Sequence, residues 1–219
     1  MSSISTRAKA ILSSLPLGVR LVAVTKGRRL GEIEEAIGAG VKEIGESKVQ
    51  EAADKIPALK AAHPGLIFHM VGHLQGNKAK EAVQLFDIIQ SVDSVVIAQK
   101  IASEAQMQKK KISILVQFRI SGKEGQYGYS SAAELDNAIA ELRKLEAMHS
   151  PYFRLAGLMG IASRERPAED FSRLRALAKS LSLPVLSMGM SGDYKIAVEE
   201  GSNMVRIGTA IFEDEKESD

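Results

Sequence analysis

A chain of 219 residues with 45% hydrophobic side chains is long enough to bury a substantial core, and its length fits one α/β domain spanning 1–219. Its 29 basic and 27 acidic side chains are mixed along the sequence to a formal charge of +2, which leaves no nucleic-acid footprint, and no apolar run reaches the length of a membrane span. The absence of cysteine excludes disulfides, thiolate nucleophiles and thiolate metal sites, and an amino end without the apolar core of a signal peptide reads as cytoplasmic.

In chain order, Ile4, Ala8, Ile11 and Leu12 are spaced for one face of a leading helix within 1–15 that stops before Pro16. Leu21, Val22, Ala23 and Val24 form an apolar run without polar alternation, which suits a parallel strand buried on both faces and delivers Lys26 to its carboxyl end. Leu30, Ile33 and Ile37 then recur at helical spacing before Gly38-Ala39-Gly40. A strand over 41–45, a helix over 47–59, a strand over 66–71, a turn and helix over 72–85 and a strand over 86–92 follow, and Asp93 is expected to cap a helix that turns Val96, Ile101 and Ala105 inward.

The second half continues the alternation. A strand over 112–120 leads into a glycine-rich loop over 121–129, and Ser131 with Glu134 forms a capping box ahead of Leu135, Ile139, Leu142 and Leu145. A strand over 153–161 precedes a helix started by Pro167 and carried by Phe171, Leu174, Leu177 and Leu181. Strands over 184–188 and 204–207 flank a short helix over 193–200, Thr209 caps what remains, and the acidic tail over 213–219 is expected to fray. Eight strands alternating with helices predict a closed (β/α)8 TIM barrel with an extra amino-terminal helix.

Two places carry candidate chemistry. Lys26 sits where the first strand opens into its loop, so its amine is a candidate nucleophile, and at a partly desolvated mouth its neutral form would be favoured. The loops after the seventh and eighth strands contain Gly189-Met190-Ser191-Gly192 and Arg206-Ile207-Gly208-Thr209, small and hydroxyl-bearing residues that let an anion approach backbone amides. His69 and His73 are four apart but fall on strand and turn with no third ligand nearby, so no metal site is expected. Both should lie near the barrel mouth, and Glu43, Glu46 and Glu51 read as surface charges or loop braces.

The motifs VAVTK ending at Lys26, GESKVQE from Gly45, HMVGHLQGNK from His69, GLM from Gly157, and SMGMSGD with VRIGTAIF occur in order from Val22 to Phe212. Together they resemble the YggS/PROSC-type pyridoxal phosphate homeostasis proteins. The resemblance implies a fold-type III barrel of the alanine racemase amino-terminal type with pyridoxal 5′-phosphate (PLP) at its mouth. Carried over by motif, Lys26 is the Schiff-base lysine, Ser191, Gly208 and Thr209 are phosphate ligands, and Met190 belongs to the cofactor-binding set. Arg206 faces the pyridine nitrogen, and Ser47 stands near the ring where the family usually has asparagine. Gln126 likewise replaces a lysine frequent in the family's fifth loop.

A guanidinium opposite the ring nitrogen can only donate, which makes the cofactor a poorer electron sink. The chain ends soon after the eighth strand, so no second domain is expected to bring an opposing base. These features favour a monomeric, non-enzymatic carrier that buffers PLP or delivers it to PLP-dependent apoenzymes, with Lys26 the sole candidate for any catalysis. A low-activity amino-acid racemase using His69 as second base is the alternative, and a cofactor-free aldolase on a phosphosugar is a more distant one.

Overall fold

The computed structural model describes residues 3–122 and 125–213. Ser3 caps the leading helix α1 (Ile4–Ser14) by accepting from the Thr6 N–H, and Ala8 and Ile11 bury its inner face. The alternation then runs β1 (Arg20–Val24), α2 (Leu30–Gly38), β2 (Glu43–Glu46), α3 (Val49–Ala62) and β3 (Ile67–Met70). A 3-10 turn (Gly76–Lys78) leads into α4 (Ala79–Leu85), followed by β4 (Ile88–Val92), α5 (Val95–Met107), β5 (Ile112–Phe118) and α6 (Ala132–His149). The chain finishes with β6 (Phe153–Gly160), α7 (Pro167–Ser180), β7 (Val185–Ser187), α8 (Tyr194–Glu199), β8 (Met204–Ile207) and α9 (Thr209–Phe212).

The strands pair in parallel in chain order, and β1 pairs with both β2 and β8 to close the barrel. Register explains the unbroken apolar run of β1. Leu21 and Ala23 belong to the core shared with the surrounding helices, whereas Val22 joins Leu115, Ala156, Met159 and Met204 in a separate cluster. Burying one such aliphatic side chain is worth about 1.5–3 kcal/mol, so a strand buried on both faces has no position at which a polar residue is free of cost. Glycine appears where backbones touch: a Cβ on Gly157 would overlap the Val185 carbonyl, and one on Gly72 would overlap the carbonyl of Ser47.

Several local expectations change. Ser94, not Asp93, caps α5 by accepting from the Ile97 N–H at 3.3 Å, while Asp93 pairs with His73 at 3.1 Å. Val96 is 60% exposed because the inward face of α5 is set by Ala98, Ile101, Ala102 and Ala105. β2 starts at Glu43 rather than 41, and Thr209 is the first residue of α9, with Gly208 in the cap position. The expected fraying of the tail lies outside the described residues from 214 onward, as do positions 123 and 124 of the loop after β5. The rest of that loop folds back, Tyr129 donating its N–H to the Gln117 carbonyl and accepting from the Arg119 N–H.

Candidate functional site

Register decides what meets at the barrel mouth. Ala23 pairs with Ile207, so Lys26, beyond the end of β1, and Gly208-Thr209, just beyond β8, leave neighbouring strands at the same end. Gly208 packs close against the Val24 carbonyl, where a Cβ would sit at 3.2 Å. A cavity of about 1350 Å³ opens there and is bordered by Lys26, Met190, Ser191, Arg206, Gly208 and Thr209, and by Gln126. The two stretches singled out at opposite ends of the sequence therefore share one cavity.

Each side chain has a defined chemical state. Ser191 Oγ accepts from the Ala210 N–H at 3.2 Å, which orients the hydroxyl and leaves its proton available to an anion. Met190 is half-exposed and its own N–H is taken by Asp193 Oδ1 at 2.6 Å. Arg206 is 5% exposed and donates to Ser187 Oγ at 2.7 Å and to the Gly160 carbonyl at 3.0 Å, two neutral acceptors. Burial brings its pKa down to about 10, with Asp193 pulling upward, so it remains protonated at neutral pH. Among the described residues no carboxylate lies within ion-pair distance of Arg206 or Lys26, whereas Arg28 is tied to Glu213 at 2.6 Å. Lys26 and Arg206 thus border the cavity with charges not neutralised by contact.

Some expectations about the mouth change. Lys26 is exposed, so partial desolvation is not a property of the protein by itself. Ser47 is not among the residues bordering the cavity, and its backbone lies against Gly72. His69 and His73 do not converge. His69 is fully buried between Glu43 and Gln90, while His73 stacks on Tyr127 with ring centroids 3.6 Å apart. Among the described residues no group of three or more His, Asp or Glu side chains is arranged to hold a metal ion.

A family model for the alanine racemase N-terminal domain matches residues 1–216. Curated relatives include the pyridoxal phosphate homeostasis protein of Synechocystis, 39% identical over 93% of this chain and 95% of that protein. The protein of the same name from Escherichia coli K12 is 35% identical over 90% of this chain and 86% of its own. The chain belongs to the YggS/PROSC pyridoxal phosphate homeostasis family. Among solved structures, PipY of Synechococcus elongatus with PLP bound superposes with a TM-score of 0.84 at 34% identity, covering 96% of this chain and all of that one. An alanine racemase from Clostridium difficile, 15% identical over 60% of its own chain, shares the fold with a TM-score of 0.76.

Two features of this family member escape a reading by motif. The first is a brace beneath Lys26. Lys55 Nζ donates to the Thr25 carbonyl at 2.8 Å, to Glu46 Oε1 at 2.9 Å and to Glu51 Oε1 at 2.6 Å. Thr25 Oγ1 donates to Glu46 Oε1 at 2.7 Å, and Glu51 accepts from the Gly27 N–H. The backbone on both sides of Lys26 is therefore pinned to α3. Glu46 is 1% exposed rather than a surface charge, and burial raises its carboxyl pKa against the pull of Thr25 and Lys55. Only Glu51 keeps the expected character of an accessible loop brace.

The second is a polar file through the barrel centre, where this architecture usually packs branched aliphatic residues. Glu43, His69, Gln90, Ser187 and Arg206, from β2, β3, β4, β7 and β8, are all buried. The available signal was the interruption of several short apolar strands by polar residues, in IFHM, IIQSV, VLS and MVRI. Burial raises the carboxyl of Glu43, but hydrogen bonds with His69 and Arg20 outweigh it and hold the pKa below the ordinary value.

Burial also lowers the pKa of His69 from its ordinary 6.5, although Glu43 pulls the other way. The unfolded chain then takes up a proton at a higher pH than the native state. Stability from this group is complete above the unfolded value and is lost as pH falls through it toward the depressed native one. Urea unfolding should show stability falling as pH drops below the ordinary imidazole value, and His69→Gln, which retains a donor for Glu43, should flatten that fall.

Proposed function

We propose that this protein binds pyridoxal 5′-phosphate through a Schiff base to Lys26 and serves cofactor homeostasis, buffering PLP or handing it to PLP-dependent apoenzymes, as a cytoplasmic monomer without robust catalysis of its own. The observation that carries the reading is the common cavity: one amine, one hydroxyl with a free proton and one buried guanidinium border it together. The family's named members and the PLP-bound relative support the choice of ligand. When bound, the cofactor supplies an aldehyde carbon for an amine, a ring able to withdraw electrons, and a phosphate.

The protein's own groups divide the work. Lys26 contributes its nitrogen at the end of β1, held in place by the Lys55 brace. Ser191 and Thr209 donate hydroxyl protons toward the phosphate, and Gly208 permits close approach. Arg206 donates toward the ring nitrogen and holds no proton that it would readily release. The arrangement suits retention and transfer more than proton abstraction, because the expected second base, His69, is wholly enclosed in the barrel. Its ring faces Glu43 and Gln90 instead of the mouth, which removes the residue that favoured a racemase.

Titration of the purified protein with PLP should show saturable growth of a visible absorbance band. Ser191→Ala and Thr209→Ala should each raise the dissociation constant, a hydrogen bond to the anion being worth about 2 kcal/mol, with the circular dichroism spectrum unchanged. Absence of saturable binding refutes the assignment. Rapid, Lys26-dependent exchange of amino-acid α-protons in deuterated water would move the protein to the racemase class.

A further inference from the structure

The interior file does more than fill the barrel, because its hydrogen bonds run in one sense. Arg206 NH1 donates to Ser187 Oγ at 2.7 Å, and Ser187 passes its own proton to Gln90 Oε1 at 2.7 Å. Gln90 Nε2 faces both the Met204 sulfur at 3.2 Å and His69 Nδ1 at 2.9 Å. A thioether has no proton to give, so the amide nitrogen, not its oxygen, must lie on that side. Nδ1 of His69 is then an acceptor, which leaves the ring proton on Nε2, 2.9 Å from Glu43 Oε2. Glu43 terminates the file as an acceptor and also takes two hydrogen bonds from Arg20 at the opposite end of the barrel, at 2.7 and 2.8 Å. Every member has one proton arrangement that satisfies its neighbours.

We propose that Ser187 and Gln90 are positioning residues for Arg206: with His69 and Glu43 behind them they form a one-way hydrogen-bonded file that locks the guanidinium as a fixed donor at the cofactor mouth. Arg206 can only donate to Ser187 Oγ, so the hydroxyl proton is directed to Gln90 Oε1, and the amide presents that oxygen to Ser187 because its nitrogen is committed to Met204 and His69. The guanidinium is thereby restrained by a chain of four strands rather than by a counter-ion. A carboxylate partner would neutralise the charge and draw its donors away from the cavity. Neutral acceptors hold the group in orientation and leave its charge for the ligand.

The proposal rests on the reading that PLP occupies the mouth, but the file can be tested without it. In ligand-free protein labelled with ¹⁵N, the His69 ring should give the signature of a neutral Nε2–H tautomer, and an Nδ1–H tautomer would reverse the file and overturn the proposal. In Ser187→Ala, the Arg206 Nε–H should exchange with water faster than in the parent protein, and equal exchange in the two overturns the positioning role. With PLP added, Ser187→Ala should still yield the adduct at Lys26 but bind about tenfold more weakly, with a shifted absorption maximum. Unchanged affinity and spectrum again count against the file, whereas failure of the parent protein to bind PLP defeats the proposed function and leaves the two ligand-free measurements to decide the file. Gln90→Leu, which keeps the volume and removes both polar atoms, should reproduce the Arg206 exchange of Ser187→Ala.

Discussion

Replacing Lys26 with alanine should abolish the covalent pyridoxyl adduct altogether. After incubation with PLP and borohydride reduction, mass spectrometry of the parent protein should show one added pyridoxyl group on the peptide containing Lys26, and the variant none. The fold should be untouched, since Lys26 is exposed and among the described residues its side chain takes part in no hydrogen bond or ion pair. Residual binding is expected in the variant, because Ser191, Thr209 and Arg206 still border the cavity. An adduct of full stoichiometry on another lysine would remove Lys26 from its proposed role while sparing the phosphate corner. Loss of the adduct with undiminished reversible affinity would mean that the covalent bond contributes little to retention.

Lys55→Met should be the most damaging single change among the residues that support the site. Lys55 is 9% exposed and joins Glu46, 1% exposed, to Glu51 and the Thr25 carbonyl, so its removal strands a buried carboxylate. Breaking a buried pair in this way costs about 3–5 kcal/mol. Glu46 can relieve part of that cost by taking a proton. Its carboxyl pKa is already raised by burial and should rise further without the ammonium. A raised acid binds its proton more tightly in the folded state than in the unfolded, so the penalty is greatest above the folded pKa and shrinks as pH falls through it. Urea unfolding of Lys55→Met should therefore show a deficit of about 3 kcal/mol at neutral pH that narrows on mild acidification. A deficit that widens with acid would mean that Glu46 is not the stranded group. Because the same amine pins the turn before Lys26, the variant should also form the pyridoxyl adduct more slowly at a temperature where it is fully folded.

The local signals that were legible are those with a local cause. The capping box of Ser131 and Glu134 formed as expected, both halves being present, because its hydrogen bonds connect residues three apart. The Asp93 cap did not form because Ser94 competed for the same amides and His73, distant in sequence, drew the aspartate away. Val96 was misplaced because apolarity was equated with burial, whereas the partner surface chose a different stripe of α5. His69 shows the same limit at the site. Its place near the carboxyl end of the third strand suggested proximity to the mouth, but a strand side chain points into the lumen or out of it according to register, and register is a property of paired strands.

The sequence by itself determined the alternation of strands and helices, the amine at the end of the first strand and the glycine-hydroxyl loops after the last two, because these depend on short-range periodicity and on which residue types tolerate tight turns. Tertiary structure alone decided that the amine and the glycine-hydroxyl loops share one cavity, since that requires β1 to pair with β8 across nearly the whole chain. It also decided the charge environment: the Lys55 brace needs β1, β2 and α3 packed together, and the file from Glu43 to Arg206 draws on residues 163 positions apart that the closed barrel brings within hydrogen-bonding distance of their neighbours. Polar groups buried in a lumen must find partners or lose free energy, and where those partners lie is settled by the closed sheet.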